Sequence, residues 1–272
     1  MLRPPSSLPV ALVLVLLAAC GEVENPPAQS PDAPPTADAA PTPDAGFDPA
    51  SIDGLILRLD ATRIDGLADG ADVAIWQDAS GGNRHATQSE AARHPTYVAR
   101  APGVKTAVRF DGTDGMAVAG VAGDQAPAVS VFIVTRAAAV TDDGRVVFGY
   151  VQETAPFHTW YFLHRYGETA DLCIGNSCVA GANDRWTDWS IYSGLTANGD
   201  IFRNGKILKD EAGTPAIPYA DGVGFYIGAE RNWQSNYHGD IGEILLYGRT
   251  VTEAERQQIE AYLSAKWDIA PE

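Results

Sequence analysis

Apolar and polar residues alternate in short runs along most of the chain after residue 51. In the first run, Leu55, Leu57 and Leu59 alternate with Arg58 and Asp60, which is the period of a β-strand with one buried face. Asn-Gly dipeptides at 198–199 and 204–205 separate later runs, as two-residue hairpin turns do. Further strands are predicted at residues 73–77, 107–110, 129–136, 146–150, 158–165, 189–195, 200–203, 206–208 and 225–228. This succession of short strands is typical of an all-β antiparallel sandwich.

The C-terminal part of the chain departs from this alternation. Residues 241–247 form an almost uncharged run with enough β-branched and aromatic residues to predict a strand that is buried on both faces. Thr252 and Glu255 have the spacing of a capping box, so a helix is expected to begin there. One apolar stripe follows at helical spacing and consists of Ile259, Tyr262, Leu263 and the stem of Lys266. We expect this helix to lie on the sheet and to cover the final strand.

Several short motifs give residues 55–269 a resemblance to a known family. They are Leu57-Arg58-Leu59-Asp60-Ala61, Trp76-Gln77-Asp78-Ala79-Ser80-Gly81-Gly82-Asn83, Ala107-Val108-Arg109-Phe110-Asp111-Gly112, Gly224-Phe225-Tyr226-Ile227-Gly228, the strand that begins Gly239-Asp240-Ile241-Gly242-Glu243, and the helix that ends Tyr262-Leu263-Ser264-Ala265-Lys266-Trp267. The chain is similar here to laminin G-like domains of the concanavalin A-like lectin/glucanase superfamily. The resemblance implies a jelly-roll sandwich over residues 52–272 with one C-terminal α-helix. It does not define a function, because the superfamily contains sugar binders, glycosidases, lyases, adhesins and spacers.

The first twenty residues have the pattern of an export signal. Arg3 precedes an apolar run at 10–19 that is too short to span a bilayer and ends at Cys20. Residues 17–20 resemble the bacterial lipoprotein box, which implies removal of residues 1–19 and lipidation of Cys20. Gly21 after the cysteine implies the outer membrane or the cell surface. An ordinary signal peptide that contains a cysteine is the alternative.

Residues 20–51 are rich in Pro, Ala, Asp and Thr. Such a segment has little apolar surface to bury, so we expect a disordered, extended tether, and a proline-motif ligand is the alternative. The protein would then contact the membrane through its lipid anchor only.

Charge narrows the choice of partners. The chain carries 19 Lys and Arg residues against 35 Asp and Glu residues, a formal net charge of -16. Proteins that bind nucleic acid use clustered basic residues to displace counterions from phosphates, so nucleic acid is not an expected partner. The acidic balance suits divalent cations instead.

Two cysteines remain in the predicted domain, at the ends of Cys173-Ile174-Gly175-Asn176-Ser177-Cys178. If Gly175-Asn176 forms a hairpin turn, Cys173 and Cys178 face each other across the two strands, which suits a disulfide. Export supplies the oxidising compartment that a disulfide needs. A thiol metal site is disfavoured because no histidine or third cysteine lies at ligand spacing.

The glucanases of the superfamily place two catalytic carboxylates on one strand, in a pattern close to Glu-x-Asp-x-x-Glu. The sequence contains no such run. Asp240 and Glu243 come nearest, but three residues is an odd step and puts them on opposite faces of a regular strand. We therefore predict no catalytic pair of this type and a structural role for Glu243.

Calcium is the cofactor that the resemblance implies. Laminin G-like domains often hold one calcium ion with aspartate side chains and backbone carbonyls, and oxygen ligands are the kind that calcium prefers. Asp111, Asp240 and Asp60 occupy the matching motif positions. Solvated turn carboxylates are the alternative interpretation of all three.

A candidate sugar-binding loop lies between the last two predicted strands. Arg231, Asn232, Trp233 and Tyr237 combine aromatic rings, which stack on sugar faces, with groups that bond sugar hydroxyls. Simple packing of the loop is the alternative. Three further aromatic residues would extend such a surface, namely Trp186, Trp189 and Tyr192.

Together these patterns favour a non-catalytic binding module at the cell surface that binds carbohydrate or another surface polymer. A polysaccharide-acting enzyme of the glucanase or lyase type is the alternative, and a pair of close carboxylates would favour it. A structural surface protein that binds partner proteins is the third hypothesis, and an exposed apolar patch would favour that one.

Overall fold

A computed structural model gives the fold, and it describes residues 46–99, 106–119, 129–139, 145–151, 159–166, 169–174, 177–182, 185–197, 199–209, 224–230 and 236–272. Strands dominate these residues, and one α-helix follows them, α1 (Glu253–Trp267). The strands are β1 (Leu55–Asp60), β2 (Ile75–Trp76), β3 (Ala86–Thr87), β4 (Thr96–Val98), β5 (Ala107–Asp111), β6 (Met116–Val118), β7 (Ser130–Ala137), β8 (Arg145–Val151), β9 (Thr159–Tyr166), β10 (Thr169–Ile174), β11 (Ser177–Ala182), β12 (Ser190–Leu195), β13 (Asp200–Arg203), β14 (Lys206–Lys209), β15 (Phe225–Ile227) and β16 (His238–Tyr247).

The strands form two sheets in which neighbouring strands run antiparallel. The first, here the helix-side sheet, has the order β14-β13-β12-β7-β16-β5-β4, and β1 pairs with the second half of β16. The second, here the far sheet, has the order β11-β10-β9-β8-β15-β6-β3-β2. Non-consecutive neighbours in both orders show that the chain crosses repeatedly between the sheets. The structure therefore confirms the predicted all-β antiparallel sandwich with one C-terminal helix.

Apolar side chains from both sheets fill the space between them. Val131 and Ile133 of the helix-side sheet and Phe148 and Phe225 of the far sheet belong to one fully buried cluster. The rings of Phe148 and Phe225 stack with their centroids 4.8 Å apart. Each such side chain contributes roughly 1.5–3 kcal/mol when it leaves water, so this cluster is a main source of stability.

Strand β16 is buried on both faces, as its uncharged sequence predicts. Ile244 and Leu246 point into the cluster between the sheets. Leu245 and Tyr247 point the other way, into a second apolar cluster that also contains residues of α1. The helix-side sheet is therefore the middle layer of three.

Helix α1 begins and packs as the sequence predicts. The Thr252 hydroxyl accepts a hydrogen bond from the Glu255 amide, and the Glu255 carboxylate accepts one from the Thr252 amide at 2.7 Å. Ile259 and Leu263 are buried against the helix-side sheet, whereas Tyr262 is only partly buried. Because a 15-residue helix is marginal in water by itself, this packing holds it in place.

The charged residues of β1 are not exposed to solvent but lie buried beneath α1. Arg58 and Asp60 meet Glu243 of β16 and Lys266 of α1 there, and we call these four residues, with Trp267, the helix-sheet ion cluster. Lys266 Nζ lies 2.5 Å from Asp60 Oδ2 and 2.6 Å from Glu243 Oε2. Trp267 Nε1 donates to Glu243 Oε2 at 2.9 Å. Two cations and two carboxylates give the cluster no net charge.

Burial affects the two carboxylates of this cluster differently. It raises the pKa of Glu243, and the like charge of Asp60 adds to the rise against the opposing effect of Lys266. Burial also acts to raise the pKa of Asp60, but Lys266 and hydrogen bonds from Thr62 outweigh it, so the pKa of Asp60 is lowered. Asp60 is therefore the carboxylate that holds its negative charge more firmly.

A β-bulge interrupts β16 at Gly242. Ile241 pairs with Thr135 of β7 and Glu243 with Val134, so Gly242 is one residue in excess of its partner strand. The Trp267 ring lies so close that a Cβ at Gly242 would come within 2.7 Å of it. Glycine at this position lets the helix end seat on the strand.

Residues 47–51, which the sequence analysis places in the tether, pack against the domain. The ring of Phe47 lies 5.8 Å from that of Tyr262, and the Tyr247 hydroxyl donates to the Pro49 carbonyl at 3.0 Å. Asp48 Oδ1 accepts from Arg58 Nη1 at 2.7 Å. The domain therefore begins before the predicted boundary at residue 52. Residues 1–45, which include Cys20, lie outside the described part of the chain.

The hairpin that carries the two cysteines has the predicted register. Cys173 of β10 lies opposite Cys178 of β11, and Ile174 lies opposite Ser177. The two sulfur atoms lie outside the described structure, so the disulfide itself stays a prediction.

Across the described residues, no helix is long and apolar enough to cross a membrane.

The helix cap predicts an acid-sensitive contribution to stability. Hydrogen bonds from Arg249 and the Thr252 amide lower the pKa of Glu255 from 4.5 to about 2. As the pH falls, Glu255 is therefore protonated near pH 4.5 in the unfolded chain but only near pH 2 in the folded chain. The free energy of unfolding decreases as the pH falls through this window. In Glu255→Gln we expect a lower urea midpoint at pH 6 and a smaller further loss at pH 3 than in the wild type.

Glu90→Gln is a suitable control for this measurement, because Glu90 pairs with Arg93 on an exposed turn and such pairs contribute little. The same pH dependence in Glu255→Gln and the wild type would contradict the role assigned to the cap.

The contact between Trp267 and Gly242 predicts that an added methyl group is not tolerated. Gly242→Ala should lower the free energy of unfolding by about 1–3 kcal/mol, the usual cost of overpacking, in urea denaturation followed by tryptophan fluorescence. Gly248→Ala is the matched control, because its Cβ would come no closer than 3.3 Å to the Ile56 side chain and 3.9 Å to the Gly54 carbonyl oxygen. Equal losses in the two variants would show that the Trp267 contact is not the constraint.

Candidate functional site

A pocket of about 360 Å³ opens on the outer surface of the helix-side sheet, where β5, β7 and β16 lie side by side. Its lining combines charged, polar and small residues, namely Arg109, Arg136, Ala137, Ala138, Thr187, His238, Gly239 and Asp240. Concave surfaces with a few converging polar groups are the usual form of a binding site.

Strand register brings the three charged residues of this pocket together. Asp240 of β16 lies directly opposite Arg109 of β5 on one side and Arg136 of β7 on the other. Directly opposed residues point to the same face of a sheet with their Cβ atoms about 5 Å apart. The Asp240 carboxylate therefore lies between two guanidinium groups.

Both arginines hold Asp240 in a fixed position. Arg109 Nε lies 2.7 Å from Oδ1 and its Nη2 3.1 Å from Oδ2, a bidentate contact. Arg136 adds Nε at 2.9 Å and Nη2 at 2.8 Å, both to Oδ2. The hydrogen bond to Asp240 raises the pKa of Arg109, against the opposing effect of burial. Asp240 is buried, whereas 42% of the Arg109 side chain and 22% of the Arg136 side chain are exposed.

A stack of aromatic rings connects this pocket to the helix-sheet ion cluster. The Arg136 guanidinium lies over the Trp189 ring, 5.3 Å from its centroid. The Trp189 ring is stacked against that of Trp267, with centroids 6.4 Å apart. Since Trp267 also covers Gly242, its indole lies over the strand between Asp240 and Glu243.

The structure corrects the prediction that Asp240 and Glu243 lie on opposite faces of their strand. Their partners on β7, Arg136 and Val134, are two residues apart and share a face, so the two carboxylates share one too. The bulge at Gly242 supplies the extra residue that restores the even step. Each carboxylate is nonetheless paired with two cations of its own group, and neither is available as a catalytic acid or nucleophile.

The three aspartates predicted to bind calcium do not converge. Asp60 belongs to the helix-sheet ion cluster and Asp240 to the pocket, and cations already neutralise both. Asp111 caps a turn, where it accepts from the Thr113 amide at 2.8 Å. Among the described residues, no group of three or more His, Cys, Asp and Glu side chains is arranged to hold a metal ion. These three residues therefore do not fit the predicted site, and calcium binding by the protein stays a prediction.

The predicted sugar-binding loop is only partly within the described structure. Tyr237 is fully buried, and its hydroxyl lies 2.8 Å from Thr135 Oγ1. It belongs to the core between the sheets, so the prediction that it contacts a ligand is wrong. The rest of the predicted loop site, namely Arg231, Asn232 and Trp233, lies outside the described residues.

Of the aromatic residues proposed to extend that surface, Trp186 and Tyr192 are also fully buried. Their rings stack on each other, with centroids 5.2 Å apart.

Sequence reasoning missed Arg109 and Arg136 as site residues. Arg109 lies in one of the motifs on which the family resemblance rests, but its apolar neighbours Val108 and Phe110 predict a core strand and give no sign of a binding site. The residues converge because β5, β7 and β16 are adjacent, and that strand order is not visible in the sequence. The available signal is a charged residue within or beside each of three β-rich runs, and such residues are also common on solvent-facing strand positions.

No protein-family model matches the chain, and no curated protein matches it in sequence. Solved structures do match its fold. Domain 4 of an extracellular GH43 arabinanase from Geobacillus stearothermophilus, in complex with arabinotriose, has a TM-score of 0.56 at 15% identity, and the match covers 76% of this chain and 98% of that domain.

A Trypanosoma rangeli sialidase in complex with sialic acid has a TM-score of 0.55 at 13% identity over 80% of this chain. Botulinum neurotoxin type C, from a structure concerned with its interaction with two ganglioside molecules, has a TM-score of 0.52 at 12% identity over 77% of this chain. The chain spans only 34% of the sialidase and 51% of the toxin chain. At these identities the likeness is one of fold, and it agrees with the β-sandwich.

Proposed function

We propose that this protein is a non-catalytic carbohydrate-binding module and that the pocket between Arg109 and Arg136 is part of its binding surface. The observation that carries the proposal is the match to the arabinanase domain, which extends over nearly the whole of that domain. That domain was solved with arabinotriose, and the sialidase with sialic acid. A sugar ligand is the feature that these neighbours have in common.

The chemistry of the pocket suits a sugar. Guanidinium groups form directed hydrogen bonds with hydroxyl groups, and Arg109 and Arg136 present two of them within one concavity, on either side of the buried Asp240 carboxylate. Mutual ion pairing already fixes all three side chains. Pre-ordered groups lose less conformational entropy when a ligand binds, which favours affinity.

We further propose that the loop at 231–235 supplies an aromatic contact next to the pocket. His238 lines the pocket and follows Trp233 by five residues. Five residues span at most about 17 Å, a distance that a short oligosaccharide covers. The indole of Trp233 would stack on a sugar ring beyond the one that the pocket holds.

Export and lipidation at Cys20 complete the proposal and rest on the sequence pattern of residues 1–20. They would display the module at the outer membrane or the cell surface on a proline-rich tether.

A polysaccharide-acting enzyme is the second candidate, and Asp111 and Asp114 are the observation in its favour. Burial raises the pKa of Asp114 to about 6. Hydrogen bonds from Thr113 outweigh the effect of burial on Asp111 and lower its pKa. Carboxylates with separated pKa values are typical of acid and base pairs, but here Asp114 is buried and accepts the Asp111 amide. The pair therefore serves the turn, and the binding module is the better-supported function.

Binding of partner proteins receives less support. Within the described residues the exposed large apolar side chains are Ile75 and Ile207. They lie on β2 and β14, edge strands of different sheets, and so they do not form a patch.

A glycan array probed with the full-length protein tests the proposal. We expect the wild type to bind at least one glycan and Trp233→Ala to bind it with about tenfold lower affinity. This is the effect of removing one aromatic contact of about 1.4 kcal/mol. Ile207→Ala, an exposed position on the edge strand β14, is the control and should bind as the wild type does.

Absence of binding to every glycan on the array would contradict the proposal. If the protein then released reducing sugar from a polysaccharide, the enzyme hypothesis would replace it.

A further inference from the structure

We infer that the pocket selects a sugar unit that carries a carboxylate, as in acidic polysaccharides. This inference rests on the proposed function and names the class of ligand for the same site.

The charged side chains that line the pocket do not balance. Arg109 and Arg136 carry two positive charges, and Asp240 carries one negative charge. This excess of one positive charge occurs in a chain whose formal net charge is -16. The helix-sheet ion cluster, by contrast, matches two cations with two carboxylates. The pocket is therefore a local positive site on an acidic molecule.

The arginines keep donors for a ligand. Each uses Nε and Nη2 to bind Asp240, and no described residue accepts from Nη1 of either side chain. A guanidinium group has five N–H donors in a planar fork, so one edge can hold Asp240 while another remains for a second acceptor. Both side chains are partly exposed, and ligand atoms can reach them.

A carboxylate is the acceptor that best satisfies this arrangement. Hydrogen bonds between guanidinium and carboxylate are shorter and about twice as strong as neutral ones, and the two planar groups match. A carboxylate also neutralises the excess charge, which a hydroxyl group does not. Thr187 and His238 at the same pocket offer further polar groups for the hydroxyls of the sugar ring.

Nearby carboxylates reduce this preference without cancelling it. Two carboxylates near the pocket interact electrostatically with residues that line it. Asp69 interacts with Arg109, and Asp111 interacts with His238. Neither aspartate lines the pocket. Since much of the attraction acts across solvent, the affinity for an acidic sugar should fall as salt rises.

The test compares acidic and neutral forms of the same sugars on the full-length protein by isothermal titration. The probes are oligogalacturonate and hyaluronan fragments against their methyl esters, and sialyllactose against lactose. We expect at least one acidic probe to bind, and its uncharged counterpart to bind at least tenfold more weakly.

Two variants with opposite expected effects test the role of the arginines. Arg109→Gln removes the excess positive charge of the pocket and should lower the affinity for the acidic probe at least tenfold. Asp240→Asn raises the excess positive charge of the pocket from one to two and should raise the affinity for the acidic probe. A purely structural role for Asp240 would not produce this gain. Arg63→Gln is the matched control, because Arg63 is 56% exposed and pairs with a buried aspartate, Asp60, outside the pocket. It should leave the affinity within twofold.

The outcomes separate this inference from the proposed function. Equal affinity for acid and ester, or an unchanged affinity in Arg109→Gln, would overturn the inference. Binding of neutral glycans only would overturn it and leave the proposed function in place. Binding of no glycan, acidic or neutral, would contradict both. If Asp240→Asn does not fold, the Arg109→Gln result decides.

Discussion

The fold depends on ion pairs that form between the helix-side sheet and α1. Arg58, Asp60, Glu243 and Lys266 leave water together and satisfy one another, with Trp267 as an added donor. Burial of charge is costly, and a well-packed apolar cluster of the same volume is often as stable. What the pairs add is position, because Arg58 pairs with Glu243 within the sheet and Lys266 ties the end of α1 to both Asp60 and Glu243. In this position, burial of the apolar side chains of α1 against the sheet supplies most of the free energy that holds the helix in place.

The same constraint extends to the candidate site. When Lys266 is held by Asp60 and Glu243, the next residue, Trp267, is fixed over Gly242 and against Trp189. Trp189 in turn supports Arg136, which with Arg109 orients Asp240. The pocket is therefore built on rigid strands and a packed aromatic stack, and its polar groups are positioned before a ligand arrives.

Local patterns were enough to predict much of the fold, and partner-dependent features were not. The alternation in β1, the capping box at Thr252 and the doubly buried β16 each follow from a few consecutive residues. Burial of Arg58 and Asp60 depends on a helix about 200 residues away, so the alternation in β1 predicts a polar outer face that the folded protein does not have. The bulge at Gly242 places Asp240 and Glu243 on the same face of the strand, and the alternation of residues gives no sign of it. The pocket depends on the order of the strands in the sheet, which alternation does not encode either. The prediction for Tyr237 is wrong because an aromatic residue beside polar ones fits a core position and a sugar contact equally well.

The measurement that tests the role of the helix-sheet ion cluster most directly is a double-mutant cycle of Glu243→Gln and Lys266→Met, followed by urea denaturation. Removal of one member should cost up to about 3–5 kcal/mol, because it leaves a buried charge without one of its two partners. The double variant should lose about 1–3 kcal/mol less than the sum of the single losses, the range seen for directly coupled residues. Additive losses, within about 0.5 kcal/mol, would contradict the account.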